Sequence, residues 1–413
     1  MIRSFIIGVG VVGLSAGGLF GCSSSSNSSH FGGAGASGGS GGSSGGGSGG
    51  TINLGGSGGG GGSKLTGTPD CTHWDDSDFD GDGYTVSQGD CNDCTAQMNP
   101  GAYDYPGNGV DEDCDGTPDD EPTGCDKQTV GITYNDPMAA AKAIGLCRVA
   151  KGKSWGVVSA KYVKADGTPG MNDVSHGLLP NFGPNVHPRQ GSTLLALSSG
   201  AARRPGDPGF QTPGGAQCLC GDQTGTQSQT PPGFPIDSPS CNGVQTANDH
   251  TAHDPAALEL TIKTPSNANQ FGFDFDFYTV EYIEYVCTQF NDFFVALVDP
   301  PPSNAQNGNI SFDSKGNPVS VNNGFLEVCS PGSHNGKSFT CSKGTSELQG
   351  TGFGGHAATG WLHTQAPVPA GKTIKVRFAI WDMGDEILDS TVLIDNVTWD
   401  VGQGDANTQP VPQ

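Results

Sequence analysis

Residues 271–277 read FGFDFDF, so phenylalanine stands at every second position with glycine or aspartate between. Successive side chains of an extended chain point to opposite faces, and strict alternation of this kind is typical of a β-strand. The four rings would share one face, while Gly272, Asp274 and Asp276 would share the other. The stretch therefore predicts a strand whose aromatic face packs into a core.

Further strand patterns surround this one, at residues 258–262, 293–298, 373–381 and 391–399. Loops rich in Gly, Pro and Asn separate them. One short alanine-rich helix is predicted over 136–147, with Met138, Ala141 and Ile144 on its packing side. Because helices and strands do not alternate regularly, residues 130–401 predict a mainly β domain of the β-sandwich or jelly-roll type.

Several motifs in this region resemble the choice-of-anchor L domain of bacterial surface proteins. In the family's order they are AKAIGLC, FDFDFYTVEYIEYV, NDFFVALV, VSVNNG and IKVRFAIWDMGDEILDSTVLIDNV. The resemblance spans most of residues 135–400 and implies an extracellular β domain without an established activity. Extra loops around Cys218, Cys220 and Cys241 depart from the family pattern and bear on what this member binds.

An acidic segment precedes the β domain: residues 78–94, DFDGDGYTVSQGDCNDC, hold five aspartates and no basic residue. Its D-x-D-x-D-G-Y start is the first half of an oxygen-ligand calcium loop, in which alternate carboxylates point inward and glycine permits a sharp bend. The twelfth position, a glutamate in an EF-hand, is Gly89 here, so the loop is not an EF-hand. The predicted ligands are Asp78, Asp80, Asp82, Tyr84 through its carbonyl, Asp90 and Asp93.

The same D-x-D-x-D-G spacing recurs at Asp111, Asp113 and Asp115, about thirty residues further on. Without a cation, carboxylates this close would repel one another. Two such loops favour calcium binding over a merely solvated acidic loop. Magnesium is the weaker candidate, because it keeps its water and takes fewer carboxylates.

The run from Asp70 to Asp120 resembles the metal-binding repeat named after the copper protein MopE, through the motifs GDGY, GDCND, NPGA and NGVDEDCDG. The copper site of the namesake uses histidines and an oxidised tryptophan, and His73 and Trp74 precede the repeat here. Copper prefers nitrogen or sulfur ligands, so this pair offers a weaker alternative than calcium. Cys91-x-x-Cys94 suggests zinc, a redox dithiol or structural disulfides, of which disulfides fit an exported chain best.

The N-terminus reads MIRSFIIGVGVVGLSAGGLFGC, a positive start followed by a short apolar run, which is the pattern of a secretory signal. Its end resembles a bacterial lipobox, which implies cleavage after residue 21, lipidation of Cys22 and attachment to a membrane. An ordinary signal peptide cut nearby is the alternative. Residues 23–69, rich in Gly and Ser, predict a disordered tether. Ser23 resembles the residue of enterobacterial lipoproteins that are not retained at the inner membrane, which implies the outer membrane.

The net charge of −23, with only 19 Lys and Arg, argues against a nucleic-acid partner, which would need clustered basic residues. Residues 70–126 hold 17 of the 42 acidic residues and no Lys or Arg, so they form a distinct acidic, cysteine-containing module. Of 13 cysteines, Cys22 would carry lipid, and 13 − 1 leaves twelve for disulfides. Cys329 and Cys341 are candidates to close one hairpin or loop.

Three polar groups in the β domain are further candidates. Structural calcium is one hypothesis for the acidic loop residues Asp382, Asp385, Asp389 and Asp395, and turn hydrogen bonds are the other. A glycosidase-like carboxylate site is a hypothesis for Glu281, Glu284, Asn291 and Asp292, which lie beside aromatic residues. His250 and His253 either ligate a metal or are solvated.

The chain has no G-x-S-x-G, H-E-x-x-H or P-loop motif, and we predict that it is not an enzyme. The leading hypothesis is a lipid-anchored, calcium-binding surface protein that binds a glycan or protein ligand or builds extracellular matrix. The alternative is a secreted hydrolase or carbohydrate-binding protein that acts on polysaccharide, and a third reading is a copper scavenger. Residues 402–413 are expected to form a flexible tail.

Overall fold

The computed structural model describes residues 71–72, 75–126, 131–214, 225–241, 250–384 and 387–412. Over these residues the chain forms one α-helix, α1 (Pro137–Ala143), and fourteen β-strands. The strands are β1 (Gly156–Val163), β2 (His176–Leu179), β3 (Leu194–Ser198), β4 (Gln227–Gln229), β5 (Thr251–Lys263), β6 (Gln270–Thr279), β7 (Phe293–Asp299), β8 (Gly332–His334), β9 (Lys337–Phe339), β10 (Ala357–Ala358), β11 (Leu362–Pro367), β12 (Thr373–Asp382), β13 (Ser390–Asp400) and β14 (Asn407–Pro410).

Some predictions fall outside these residues. They are the signal segment 1–22 with its lipidation site Cys22, the tether 23–69, the histidine–tryptophan pair His73 and Trp74, the loop cysteines Cys218 and Cys220, and the acidic residue Asp385. The structure leaves these predictions as they stand.

Two antiparallel sheets form the main body. The first has the strand order β1-β5-β12-β7, with β4 added beside β5. The second has the order β14-β11-β6-β13-β3-β2, with β10 added beside β6. Side chains from both sheets meet in one buried cluster, so the predicted β-sandwich is confirmed.

Strand β6 lies inside the second sheet, between β11 and β13, and supplies the centre of the core. Its four alternating phenylalanines are fully buried, as the FGFDFDF pattern predicts. Phe273 packs edge-on against Phe378 of β12, with ring centroids 4.8 Å apart. Phe275 packs against Phe294 of β7 at 5.0 Å. The aromatic face of β6 therefore holds the two sheets together.

The opposite face of β6 is polar and also buried, because loops cover it. The Asp274 carboxylate accepts hydrogen bonds from His363 Nδ1 at 2.7 Å and from Arg189 Nε at 3.1 Å. The Asp276 carboxylate accepts hydrogen bonds from the hydroxyls of Tyr278 and Thr359. Each aspartate thus has hydrogen-bonding partners that offset the cost of its burial.

The predicted helix is confirmed in a shorter form. Asp136 caps its N-terminus by accepting a hydrogen bond from the Met138 N–H at 2.9 Å, and a proline follows at the first helical position. Ala140, Ala141 and Ile144 are buried in the main core, which is the packing role expected of this segment. The other four strand patterns of the sequence also correspond to strands, namely β5, β7, β12 and β13.

The predicted flexible tail over 402–413 is wrong for its central part. Residues 407–410 form strand β14, which pairs antiparallel with β11 and extends the second sheet. Thr408 Oγ1 lies 2.8 Å from Thr364 Oγ1, and Ala406 is buried in the core. Its sequence, NTQP, has no apolar alternation, so backbone pairing with an open sheet edge determines this strand.

Residues 75–126 form loops and one 3-10 turn, Val86–Gln88, and contain no β-strand. Disulfides Cys71–Cys94 and Cys91–Cys114 cross-link these loops, and Cys125–Cys147 joins their end to the chain just after α1. The acidic module is therefore held by covalent bonds rather than by a core of its own. No helix in the described ranges combines the length and apolar character that crossing a bilayer requires.

Candidate metal centre

The first acidic loop folds back on its own carboxylates. The Gly81 and Gly83 N–H groups donate to Asp78 Oδ1 and Oδ2 at 2.8 and 3.0 Å. The Tyr84 N–H donates to Asp82 Oδ1 at 2.7 Å. Gly83 has φ of +94°, a left-handed conformation that glycine adopts without strain, and this turn brings the alternate aspartates together.

Two aspartates from beyond the turn complete this cluster. Ligand-capable oxygens of Asp78, Asp80 and Asp93 lie within 4.8 Å of one another, and so do those of Asp80, Asp82 and Asp90. Asp80 belongs to both groups and is the centre of the set. The structure thus brings Asp90 and Asp93 to the position where an EF-hand would use its twelfth residue.

The second acidic loop repeats this backbone pattern. The Gly116 N–H donates to Asp111 Oδ2 at 2.9 Å, five residues apart, as the Gly83 N–H does to Asp78. Gly116 has φ of +100°. Carboxylate oxygens of Asp111, Asp113 and Asp115 lie within 4.8 Å of one another. The two D-x-D-x-D-G segments therefore adopt the same turn.

The two acidic loops differ in how many of their carboxylate oxygens accept hydrogen bonds from the protein. In the first loop, one carboxylate oxygen on each of four aspartates is buried without a hydrogen-bond partner in the described part of the chain: Oδ2 of Asp80, Asp82, Asp90 and Asp93. In the second loop, Asp111 accepts backbone N–H bonds on both oxygens. The first loop therefore has four carboxylate oxygens that a cation could bind, whereas protein donors satisfy more of the oxygens of the second loop.

Electrostatics at the first loop also favour a cation. Burial, together with repulsion from Asp80 and Asp90, raises the pKa of Asp82 to about 6. Burial likewise raises the pKa of Asp80 and of Asp90. Either protons or a metal ion would relieve this repulsion. The donors are hard oxygens, the ligand type that calcium and magnesium take.

The cysteines of the module are structural. Cys91 and Cys94 do not pair with each other but form disulfides with Cys114 and Cys71. The zinc and dithiol hypotheses for Cys91-x-x-Cys94 are therefore wrong, since a thiolate ligand or redox dithiol needs reduced sulfur. The bond from Cys91 to Cys114 ties the first acidic loop directly to the second.

Two basic residues that sequence reasoning missed attach the acidic loops to the β-sandwich. Arg148 forms ion pairs with Asp113 at 2.5 Å and with Glu121 at 2.8 Å, and its guanidinium lies 5.5 Å from the Trp155 ring. Lys153 Nζ donates to the Gly83 carbonyl at 2.5 Å, within the first loop. In the sequence, only their position indicates this role, because Arg148 and Lys153 are among the first basic residues after the acidic module.

The predicted acidic group around β12 and β13 is not one cluster. Asp382 ends β12 and Asp389 immediately precedes β13, whereas Asp395 lies within β13. Six residues of extended chain, roughly 20 Å, separate Asp389 from Asp395. Asp395 accepts the Arg189 N–H at 2.6 Å and the Gln190 N–H at 3.3 Å, so its role is the turn hydrogen bonding that was the alternative.

The predicted glycosidase-like group is mostly buried. Asp292 and Glu281 are 0% and 2% exposed, and the Asp292 N–H donates to Glu281 Oε2 at 3.1 Å. Glu284 is exposed, and its carboxylate accepts the Ile283 N–H instead. A polysaccharide could not reach the buried pair, so the geometry does not support a glycosidase site here.

The two histidines contact protein groups separately. His250 Nδ1 lies 2.9 Å from the Phe234 carbonyl, and His253 Nδ1 lies 3.3 Å from Gln227 Nε2. Neither belongs to a group of three converging metal ligands among the residues that the structure describes.

Comparisons with known proteins match two stretches of this chain. Residues 212–400 match the family model described as "Choice-of-anchor L domain". Residues 90–120 match the one described as "Putative metal-binding motif", named for copper binding in MopE. No curated protein and no solved structure matches the chain. The matched motif includes Asp90, Asp93 and the whole second acidic loop, and most strands of both sheets lie in the matched domain. Residues 212–400 are therefore similar to choice-of-anchor L domains, and residues 90–120 are similar to a metal-binding motif of the MopE type.

Proposed function

We propose that this is a surface protein, attached to the outer membrane by lipid on Cys22, whose acidic module binds calcium and whose β-sandwich binds an extracellular ligand. Five disulfides among the described residues favour an oxidising, extracellular setting. The choice-of-anchor L match supports surface display. The N-terminal lipobox pattern supports the lipid anchor.

The observation that carries the calcium proposal is the set of four buried carboxylate oxygens without partners in the first acidic loop. A buried charged group without a partner is costly, and proteins offset this cost with a counter-charge or a metal. Lys153, the basic residue at this loop, binds the Gly83 carbonyl rather than an aspartate. A cation among these oxygens would neutralise them.

Calcium fits this ligand set better than the other metals considered. The converging groups of the module are all aspartates, and calcium takes six to eight oxygen ligands in flexible geometry. Copper and zinc prefer nitrogen or thiolate sulfur, and the four cysteines of the two loops are committed to disulfides. Magnesium would keep its water and use fewer of these carboxylates.

Thermal unfolding of the disulfide-bonded protein in calcium and in chelator tests the module. Binding to the folded state alone stabilises by RT ln(1 + [L]/Kd), about 2.7 kcal/mol at a hundredfold excess of ligand over Kd. We expect a calcium-dependent rise in Tm that Asp80→Asn removes. Asp299→Asn, at the exposed end of β7, is the matched control and should keep it. Equal Tm values in calcium and in chelator would refute the proposal.

Labelling of intact cells tests the anchor and the location. A membrane-impermeant reagent should label the protein on whole cells, and a radioactive fatty acid should label it through Cys22. The Cys22→Ala variant should lose the fatty acid and leave the membrane fraction. Labelling that appears only after lysis would contradict surface display.

A glycan array followed by product analysis tests binding against hydrolysis. We expect retention of a glycan or of a protein ligand with no release of product. Product release that disappears in Glu281→Gln would favour the hydrolase alternative instead. Burial of Glu281 is the reason that we propose binding rather than catalysis.

A further inference from the structure

One end of the first sheet is basic on the side that faces away from the core. Three stretches build this end: residues 151–164 around β1, residues 257–264 at the end of β5 and residues 371–377 at the start of β12. Together they hold eight of the chain's 19 basic residues and one of its 42 acidic residues, Glu259. In a chain with a net charge of −23, the fold thus gathers positive charge in one place.

The strand register places most of these cations on one face. The residues of β5 that enter the core at this end are Leu258, Leu260 and Ile262, so the residues that alternate with them point away from the core. Residues opposite one another on paired strands share a face. The outward residues of the three strands include Lys161, Thr261, Lys263, Thr373, Lys375 and Arg377.

This basic end of the face is open to solvent. At the other end of the same face, the loop residue Phe234 packs against Phe293 and Trp381 and covers the sheet. At the basic end, Lys161 and Lys375 are both exposed, and the Lys375 side chain is 45% exposed. A partner can therefore reach these ammonium groups without any change in the fold.

The single acidic residue of the three stretches does not neutralise the face. Glu259 forms an ion pair with Arg377, and its other oxygen lies 3.6 Å from Lys375 Nζ. Lys161 and Lys263 form no ion pair with any residue that the structure describes. The face therefore has positive charge left over for a partner of opposite charge.

The face ends in a cavity beside the first acidic loop. This cavity, of about 190 Å³, is lined by Lys153 and Lys263 on the side of the sandwich and by Asp82 on the side of the module. Lys263 Nζ donates to the Lys153 carbonyl, so the two lysines are neighbours. Burial, followed by the positive charge of Lys153, lowers the pKa of Lys263. An anionic group between the two lysines would offset their repulsion.

The arrangement of the face fits an extended polymer that carries both carboxylates and hydroxyls. Residues two apart on a strand are roughly 7 Å apart, and neighbouring strands are about 4.8 Å apart, so one chain lying on the face can reach several lysines. Thr261 and Thr373 lie between the lysines and can exchange hydrogen bonds with hydroxyl groups of the polymer.

Two other anionic partners fit less well. A bilayer surface is bound most strongly by faces that also insert apolar side chains, whereas the outward residues of β5 and β12 at this end are all polar or charged. A nucleic acid carries a dense negative charge that the net charge of −23 would repel.

We propose that this basic face binds an acidic polysaccharide. Carboxylates of the polymer pair with Lys161, Lys375 and Lys263, and one carboxylate enters the cavity between Lys263 and Lys153. The inference rests on the proposed function, in which the sandwich binds an extracellular ligand, and it specifies the face and the ligand chemistry. Surface ion pairs are individually weak, so the affinity comes from several of them along one polymer chain.

Titration of the full-length, disulfide-bonded protein with polygalacturonate tests this proposal. The titration is made in chelator, because calcium would bridge the polymer to the acidic module. We expect binding that weakens as salt is added and that is lost when methyl esters replace the carboxylates, since the esters keep the ring hydroxyls but not the charge. Lys161→Gln combined with Lys375→Gln should raise Kd about tenfold.

The matched control removes two lysines outside the three stretches. Lys315→Gln combined with Lys343→Gln changes the net charge equally, in two loops, and should leave Kd unchanged. Because Lys161 and Lys375 are exposed, both double variants should keep the Tm of the unmodified protein.

Several results would overturn the proposal. One is failure to bind polygalacturonate, and another is equal affinity for the polymer and its methyl ester. Retention on phosphatidylglycerol vesicles but not on the polymer would assign the face to a membrane. Self-association that only the Lys161→Gln and Lys375→Gln variant loses, without polymer binding, would assign it to the acidic module of a second copy. If the protein retains a neutral glycan or a protein ligand that this variant binds equally well, the proposed function holds and this inference fails.

Discussion

Arg148 Nη2 lies 2.5 Å from Oδ2 of Asp113, the middle aspartate of the second acidic loop. The same guanidinium pairs with Glu121 through Nε at 2.8 Å and lies over Trp155, which belongs to the sandwich core. A candidate metal ligand is therefore already paired with a cation that comes from the β domain. A metal ion bound as proposed at Asp113 would therefore compete with the ion pair that attaches the module.

Removal of Arg148 should lower the stability of the protein in chelator and enlarge the stabilisation that calcium provides. Asp113 and Glu121 are 3% and 4% exposed, so Arg148→Ala leaves two buried carboxylates without their partner. We expect the free energy of unfolding in chelator to fall by about 3 kcal/mol. The calcium-induced rise in Tm should increase, because Asp113 Oδ2 no longer has a competing cation. Denaturant melts in both conditions measure the two effects.

Arg204→Ala is the control for this experiment. Arg204 pairs with Asp207, three residues away, in a local loop distant in sequence from the module. A local, partly exposed pair is worth roughly 1 kcal/mol or less. The control should therefore change stability little and leave the calcium response unaltered. A calcium response that shrinks in Arg148→Ala would contradict competition at Asp113.

The two acidic loops should differ in affinity. Four buried oxygens of the first loop lack protein partners, whereas Asp111 and Asp113 of the second accept donors from the backbone and from Arg148. We expect Asp80→Asn to remove the tighter calcium transition and Asp113→Asn to remove the weaker one. Isothermal titration of each variant resolves them. Loss of the tighter transition in Asp113→Asn would reverse the assignment.

Local patterns in the sequence predicted the parts of this fold that depend on neighbouring residues. Alternation in 271–277 identified β6, and the D-x-D-x-D-G spacing identified turns that the backbone N–H groups then close. Asp90 and Asp93 were predicted because they follow their loop closely. In each case, the relevant distance along the chain is short enough for the pattern itself to contain the geometry.

Sequence patterns could not show which distant segments meet. Asp382, Asp389 and Asp395 are close in sequence, yet the extended conformation of β13 moves Asp395 away from the other two. Asp254 and Asp292 come close to Asp382 only through strand pairing within the first sheet. Arg148 and β14 were missed for the same reason, because their partners are set by tertiary packing.

In the absence of metal, Asp276 should contribute to the free energy of unfolding, and this contribution should fall as pH rises. Tyr278 has one hydroxyl proton, yet its oxygen lies 2.9 Å from Asp276 Oδ2 and 3.2 Å from Glu347 Oε1. Burial, followed by the charge of Glu347, raises the pKa of Asp276 well above 3.8. The folded state therefore holds this proton more tightly than the unfolded state does. Its contribution is fully present below pH 3.8 and is lost as pH rises through the folded-state pKa.

The Asp276→Asn variant isolates this contribution. Asparagine keeps the neutral form at every pH, so the decline in unfolding free energy should be shallower by up to about 1.4 kcal/mol per pH unit. Chemical melts in chelator from acid to mildly basic pH measure both slopes. Asp299→Asn, at the exposed end of β7, serves as the control and should keep the steeper slope. Parallel curves for Asp276→Asn and the unmodified protein would show that Asp276 does not hold the proton.

The two disulfides of the sandwich should differ in their effect on stability. Cys241–Cys287 spans 46 residues and Cys329–Cys341 spans 12. The longer loop loses more entropy when it is closed, so its removal should cost about 1 kcal/mol more than removal of the shorter one. Paired cysteine-to-alanine variants are suitable because all four sulfurs lie in one buried cluster. Equal losses in denaturant melts would argue against the loop-entropy explanation.

Truncation after residue 401 should destabilise the sandwich and expose a sheet edge. The deletion removes β14, its pairing with β11 and the buried Ala406, whose backbone exchanges hydrogen bonds with the Asn304 side chain at 3.0 and 3.1 Å. Several net hydrogen bonds of about 1 kcal/mol each predict a loss of roughly 3 kcal/mol. Strand β11 would then present open N–H and C=O groups, so the truncated protein should also associate at high concentration.

A chain that ends at Val411 is the control. It keeps the pairing of β14 with β11 and the hydrogen bond from the Val411 N–H to the Trp361 carbonyl, so it should behave as the full chain does. If truncation after residue 401 changes neither Tm nor the sedimentation profile, the pairing of β14 with β11 does not stabilise the sheet.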